Sequence, residues 1–136
     1  MKIKNFAAWA LILFLIVSLA GCGSREEDTM NTVSYQQITA EEAKSMMDEQ
    51  PDAVILDVRE QDEYNAGHIP DAVLLPVGTI NEETAASVIP EKDTVVLVYC
   101  RSGNRSKTAS QALADLGYTQ IYEFGGIQDW PYDLER

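Results

Sequence analysis

Residues 94–106, TVVLVYCRSGNRS, contain both a strand that would lie at the centre of the fold and the loop that follows it. The apolar, β-branched run over residues 95–98 predicts a strand that is buried on both faces. Small, polar and basic residues begin directly after Cys100. The apolar pattern of residues 108–116 then predicts a helix that ends at Gly117. A lone cysteine is therefore expected between a buried strand and a helix N-terminus.

This is a position at which α/β proteins bind ligands. The carboxyl ends of parallel strands meet helix N-termini there, and backbone N–H groups of the connecting loop can converge on an anion. This positive field, together with the charges of Arg101 and Arg105, is expected to lower the pKa of Cys100, so that it reacts as a thiolate. Gly103 and Asn104 both tolerate the left-handed conformation that a tight loop requires.

A simpler interpretation is a small buried cysteine that only packs, followed by an ordinary surface turn. The two arginines favour the reactive thiolate instead. The residues expected to form the anion-binding loop are Arg101, Ser102, Gly103, Asn104, Arg105 and Ser106.

Composition limits the classes of protein to which the chain can belong. Its 136 residues are enough for one domain with a real core. A formal net charge of −12 argues against nucleic acid as a partner, and against binding to anionic lipid through charge. Against this acidic background Arg101, Arg105 and Lys107 form a basic cluster.

The N-terminal stretch has the pattern of a targeting signal. Two lysines, Lys2 and Lys4, precede an apolar segment over residues 6–19, which is short for a membrane span. The segment ends in Leu-Ala-Gly-Cys22, which resembles the lipobox of bacterial lipoproteins. We therefore expect a signal peptide over residues 1–21. An ordinary secretory signal and an uncleaved anchor helix are the alternatives.

The lipobox resemblance implies that Cys22 is lipidated and becomes the mature N-terminus. The polar, acidic residues that follow it complete a flexible tether over residues 22–34, reaching roughly 20 Å. The protein is then expected to be lipid-anchored at the cell membrane, on its extracytoplasmic face. Cys100 would be the sole free thiol, which excludes an internal disulfide and a multi-cysteine zinc site.

Strand and helix patterns alternate along the rest of the chain. The predicted strands cover residues 35–38, 54–57, 72–75, 95–100 and 121–124. Helices are predicted from a capping box at Thr39 and Glu42, over residues 60–66, from an Asn81 cap to residue 88, and over residues 108–116. This alternation with short loops predicts an α/β fold, with a parallel sheet flanked by helices on both faces.

With these residues placed, residues 38–130 resemble a single-domain rhodanese. Four motifs occur in order: LDVRE at 56–60, GHIPDA at 67–72, YCRSGNRS at 99–106, and Gly125-Gly126 with Trp130. The resemblance implies a rhodanese-like five-stranded parallel sheet, with the domain covering residues 35–136.

The resemblance also implies a thiosulfate sulfurtransferase type of enzyme with Cys100 as the nucleophile. Cys100 would take sulfane sulfur from a small anionic donor such as thiosulfate and pass it, from a persulfide, to a thiol or cyanide acceptor. No cofactor or metal is implied. Arg101 and Arg105 would orient the donor. Asp57 and Arg59 follow a strand at the same rim, where they either contact substrate or pair with each other.

The remaining motif residues are expected to be structural. His68, the only histidine, is interpreted as part of the scaffold rather than as a general base. A solvated helix face is expected for Glu60, Asp62 and Glu63, and packing at the domain edge for Trp130. Pro131 stands where related domains often have glycine, so we expect the closing edge of the domain to be loosely held.

Two other functions remain open at this point. Phosphatases that share this fold have one more residue between the cysteine and the loop arginine. Four residues separate Cys100 from Arg105 here, which favours sulfur chemistry. The other alternative is a tethered binding module, or a persulfide carrier that serves a partner without turnover.

Overall fold

The computed structural model of the protein describes residues 34–136. The predicted signal peptide, Cys22 and the tether up to residue 33 lie outside the described residues. Within the described residues, no helix is both long enough and apolar enough to cross a membrane.

Five parallel strands form one sheet in the order β1-β5-β4-β2-β3. The strands are β1 (Gln36–Gln37), β2 (Val54–Asp57), β3 (Val73–Leu74), β4 (Val95–Cys100) and β5 (Gln120–Gly126). The helices are α1 (Ala40–Glu49), α2 (Gln61–Ala66), α3 (Glu82–Val88) and α4 (Asn104–Asp115), with 3₁₀ turns at Val77–Thr79 and Ile127–Asp129. The prediction of an α/β fold with a five-stranded parallel sheet is confirmed.

The central strand β4 has core on both sides. Because side chains alternate along a strand, Leu97 and Tyr99 face a cluster that includes Ala43 of α1. Val98 and Cys100 face the opposite cluster, built with α3 and α4. Burial on both faces explains the unbroken apolar sequence of this strand, and helices cover both faces as predicted.

The helix ends follow the predicted chemistry. The Thr39 hydroxyl accepts the Glu42 N–H at 3.1 Å, and the Glu42 carboxylate accepts the Thr39 N–H at 2.8 Å, which completes the capping box. Asn81 caps α3 in the same way. Gly117 adopts a φ of 94°, and the next residue, Tyr118, donates its N–H to the Leu113 carbonyl. This is the C-terminal motif that glycine favours.

Several boundaries differ from the prediction. Helix α4 begins at Asn104 rather than at residue 108, because Gly103, with a φ of 102°, makes the turn and serves as its N-cap. Of the two residues that tolerate the left-handed conformation, Gly103 adopts it, and Asn104 is the first helical residue. The strands β1 and β3 are shorter than predicted, since each lies at a sheet edge and pairs on one side only.

The closing edge is better held than expected. His68 donates its N–H to the Glu135 carbonyl at 2.9 Å, and Glu135 returns an N–H at 2.8 Å. Trp130 is buried, with its ring 5.6 Å from that of Phe124. Tyr132 packs edge-on against Trp130 at 4.9 Å. The expectation of a loose edge is wrong because two backbone hydrogen bonds fix the segment after Trp130.

Gly126 marks the closest approach between β5 and the loop after β4. A Cβ atom at this position would overlap the Arg101 carbonyl and would lie 2.6 Å from Ser102 Cα. Gly126→Ala should therefore push the loop outward and lower the free energy of unfolding by about 1–3 kcal/mol. Chemical denaturation measures this effect. Gly78→Ala is the matched control, because no heavy atom lies within 4 Å of its Cβ. Equal stability of the two variants would contradict this packing.

Candidate active site

Cys100 is the last residue of β4, and the chain turns around its sulfur into α4. Its side chain is only 1% exposed. The Gly103 N–H donates to Cys100 Sγ at 3.0 Å, and Ser106 Oγ lies 3.4 Å from the same sulfur. The loop thus curls its backbone around one sulfur atom, because the left-handed Gly103 turns its N–H inward.

Hydrogen bonds from this loop control the acidity of the thiol. Burial raises the pKa of Cys100, but hydrogen bonds from the Ser106 side chain and from the N–H groups of Ser106, Gly103 and Ser102 lower it by more. The net pKa lies below that of an ordinary thiol, which favours the reactive thiolate. The sequence predicted this direction from the positive field of the loop N–H groups together with Arg101 and Arg105, and the loop N–H groups do contribute to it. Hydrogen bonds within the loop are the larger effect.

Arg105 is not free beside the sulfur. Its Nη1 and Nη2 atoms contact the two carboxylate oxygens of Glu63 at 2.7 and 2.9 Å. Glu63 also accepts the Glu60 N–H at 3.0 Å. The hydrogen bonds from Arg105 lower the pKa of Glu63 to about 2, so the pair stays ionised at neutral pH. The expectation that Glu63 is simply solvated is wrong, whereas Glu60 and Asp62 are exposed.

The other polar loop residues face outward. Arg101, Ser102 and Asn104 are exposed. The Arg101 side chain makes no hydrogen bond or ion pair with any residue from 34 to 136, while its carbonyl accepts the Gln128 N–H at 3.2 Å. Of the two loop arginines, the exposed Arg101 is the one whose guanidinium is not already paired within this part of the chain.

Glu123 is a buried carboxyl group that the sequence analysis missed. Its Oε1 accepts the Ser106 hydroxyl at 2.5 Å and the Gly125 N–H at 2.9 Å, and its Oε2 accepts from Gln37 at 3.2 Å. The side chain is 2% exposed. Strand alternation was the available signal, because Glu123 shares a face with the apolar Ile121, two residues earlier.

Asp57 and Arg59 pair with each other instead of lining an open rim. Both are buried, and the Arg59 Nη2 to Asp57 Oδ2 distance is 2.6 Å. Asp57 also accepts the Tyr99 hydroxyl at 2.6 Å, and Arg59 donates to the Gly67 carbonyl at 2.8 Å. Of the two roles left open by the sequence, the structure shows the pairing.

His68 lies in the scaffold. Its ring stacks on Tyr64 with centroids 3.8 Å apart, and its Nδ1 lies 3.0 Å from the Tyr64 carbonyl. Its hydrogen bonds therefore join α2 to the closing segment. Over residues 34–136, no three or more His, Cys, Asp or Glu side chains are grouped closely enough to hold a metal ion.

Comparison with known proteins identifies a family for this chain. Residues 39–132 match the rhodanese-like domain family. The chain is 35% identical over 74 residues to the thiosulfate sulfurtransferase PspE of Escherichia coli, which covers 54% of this chain and 70% of PspE. It is 33% identical over 106 residues to YrkF of Bacillus subtilis, whose description as a sulfur carrier protein is provisional. That match covers 77% of this chain and 56% of YrkF.

The fold is likewise similar to solved structures. A rhodanese with anions from E. coli matches with a TM-score of 0.58 at 30% identity. The matched region covers 62% of this chain and 98% of that structure.

We expect Glu123→Gln to lower the pKa of Cys100. The Ser106 hydroxyl has one proton, which the Glu123 carboxylate and the Cys100 sulfur both attract, and a second negative charge nearby opposes the thiolate. The neutral amide removes that charge and keeps an acceptor for Ser106. The positive charge of Arg105 acts on Cys100 in the native protein and in the variant alike. Because the pKa falls, the variant contains more thiolate than the native protein at any pH below the native pKa of Cys100.

The rate of iodoacetamide alkylation as a function of pH measures this shift. The profile of Glu123→Gln should move to lower pH. Glu91→Gln is the matched control, since Glu91 is exposed and precedes β4, at the other end of the strand from Cys100. A profile that stays in place or moves to higher pH would show that Glu123 does not oppose the thiolate.

Proposed function

The chain belongs to the rhodanese-like family, and from that premise we propose that it is a sulfurtransferase that carries sulfane sulfur on Cys100. The observation that carries the proposal is a buried sulfur that accepts the Gly103 N–H at 3.0 Å. The Ser106 side chain and the N–H groups of Ser106, Gly103 and Ser102 lower its pKa. Such a loop can hold an anionic terminal sulfur. The similarity to PspE, a thiosulfate sulfurtransferase, supports thiosulfate as a donor.

The chemistry balances without an oxidant. The Cys100 thiolate attacks the outer sulfur of thiosulfate, the sulfur–sulfur bond of the donor breaks, and sulfite leaves with the bonding electrons. The loop N–H groups stabilise the charge on the resulting persulfide. A thiol or cyanide then attacks the outer sulfur, and the electrons of the broken bond return to Cys100.

A persulfide carrier is the second candidate, because of the similarity to YrkF. The chain spans only 56% of the length of that relative, so activities of the whole relative do not transfer to it directly. A carrier and an enzyme share the persulfide on Cys100 and differ in turnover. A carrier accepts one sulfur per chain and releases it only to its partner.

Cys100→Ser should abolish sulfur transfer while the fold is retained, because a hydroxyl cannot carry sulfane sulfur. The rate of sulfur transfer from thiosulfate to cyanide should fall to the rate measured without protein. Mass spectrometry should find one added sulfur on the native domain only. Turnover that survives in the variant would place the nucleophile elsewhere. A native domain that gains one sulfur but turns over no cyanide would be a carrier.

For the location of the protein, we propose a lipid anchor on Cys22 at the extracytoplasmic face of the cell membrane. The support is the order of the basic residues, the apolar segment and the Leu-Ala-Gly-Cys22 box. An anchor with two acyl chains or more would bind the membrane stably, whereas one chain binds only marginally. Residues 23–34 would then hold the domain just off the membrane surface.

Cys22→Ala should leave an unprocessed precursor that lacks lipid, because the modified sulfur is absent. Metabolic labelling with a fatty acid and the mass of the purified chain test this outcome. Cys100→Ser is the matched control, since it removes the other cysteine and should be lipidated normally. Normal processing and labelling of Cys22→Ala would refute the lipid anchor.

A further inference from the structure

We propose that Glu63 selects the sulfur donor by charge. Its ion pair with Arg105 disfavours the thiosulfate dianion and favours donors of lower negative charge, such as thiosulfonates and persulfides. This inference deepens the proposed function and rests on it. It starts from an unexpected contact, in which the half-buried arginine of the active loop is already bound to a carboxylate.

Glu63 occupies the two-pronged end of the Arg105 guanidinium. Glu63 takes one N–H from each terminal nitrogen of the guanidinium, at 2.7 and 2.9 Å. This fork would otherwise bind two oxygens of an anionic donor. Arg105 directly precedes Ser106, whose hydroxyl borders the Cys100 sulfur, and its charge acts on Cys100. A donor that reaches the sulfur therefore approaches this ion pair.

The charges near the loop favour the donor with the lower negative charge. The pKa of Glu63, lowered to about 2 by Arg105, keeps its carboxylate ionised at neutral pH. Glu60 also acts on Arg105 through charge, and the Glu123 carboxyl group lies under Ser106. The exposed Arg101 is the cation that remains for a donor. Because electrostatic energy scales with charge, a dianion feels twice the repulsion of a monoanion from each carboxylate and twice the attraction to each arginine. Three carboxylates (Glu60, Glu63 and Glu123) act here against two arginines, so the balance disfavours the dianion.

Two donors with the same reacting bond isolate the effect of charge. Thiosulfate, a dianion, transfers its outer sulfur to Cys100 and releases sulfite. Methanethiosulfonate, a monoanion, transfers its outer sulfur in the same way and releases methanesulfinate. Each rate is divided by the rate of that donor with 2-mercaptoethanol, which removes the difference in intrinsic reactivity. The selectivity is the ratio of the two normalised kcat/KM values.

Glu63→Gln tests the proposal while keeping two of the three hydrogen bonds that the carboxylate accepts. The amide oxygen can still accept the Glu60 N–H and one Arg105 N–H, while the negative charge is gone. The thiosulfate to methanethiosulfonate ratio should rise about fivefold, the order of change expected when one unit charge close to the donor is removed. Asp62→Asn is the matched control, since it removes the same charge from an exposed residue of the same helix. Its ratio should stay at the native value.

A folded Glu63→Gln variant whose ratio stays constant or falls would overturn the proposal, because a structural role would slow both donors alike. The native protein provides a second measurement should the variant not fold. Its normalised rate should be higher with methanethiosulfonate at low ionic strength, and a preference for thiosulfate would contradict the selectivity. Mass spectrometry of Cys100 distinguishes failure of the proposed function from failure of the donor selectivity alone. If neither donor adds sulfur to Cys100, the proposed function fails together with the selectivity; if both add sulfur but the ratio does not respond, only the selectivity fails.

Discussion

The buried carboxylate of Asp57 is the contact on which the arrangement of the site depends. It accepts hydrogen bonds from the Arg59 side chain and backbone and from the Tyr99 hydroxyl. Arg59 in turn donates to the Gly67 carbonyl, at the end of α2. One carboxylate therefore joins β2, β4 and α2. Because a buried charge without partners is costly, these elements are held in one relative position, with α2 against the active loop.

The order of elements and the position of Cys100 could be predicted from the sequence because both depend on local patterns. Apolar periodicity sets the strands and helices, and the caps at Thr39 and Gly117 involve residues only a few positions apart. The reactive loop was predictable for the same reason, since one strand, one turn and one helix follow each other directly. Within this strand, turn and helix, the one boundary that differs is the helix start at Asn104, because one left-handed glycine completes the turn.

The contacts that tune the site could not be predicted in the same way. Arg105 and Glu63 are 42 residues apart, and Glu123 is 17 residues from Ser106. Neither partner can be identified without knowing how the helices lie on the sheet. The sequence indicated two arginines near the sulfur, but not that one of them, Arg105, is bound to a carboxylate. What lowers the pKa of Cys100 is chiefly the set of hydrogen bonds made by its own loop.

The pairing of Arg105 with Glu63 also bears on which chemistry this loop can support. A phosphate monoester presents three peripheral oxygens that carry charge during transfer, and a free guanidinium is well suited to bind two of them. Here both terminal nitrogens of Arg105 already contact the carboxylate. Sulfane transfer requires a thiolate and N–H donors around one terminal sulfur, and the loop supplies them, with the Gly103 N–H at 3.0 Å from Cys100 Sγ. The loop therefore provides the thiolate and the N–H donors that sulfur transfer uses, whereas the guanidinium that would bind phosphate is paired with Glu63.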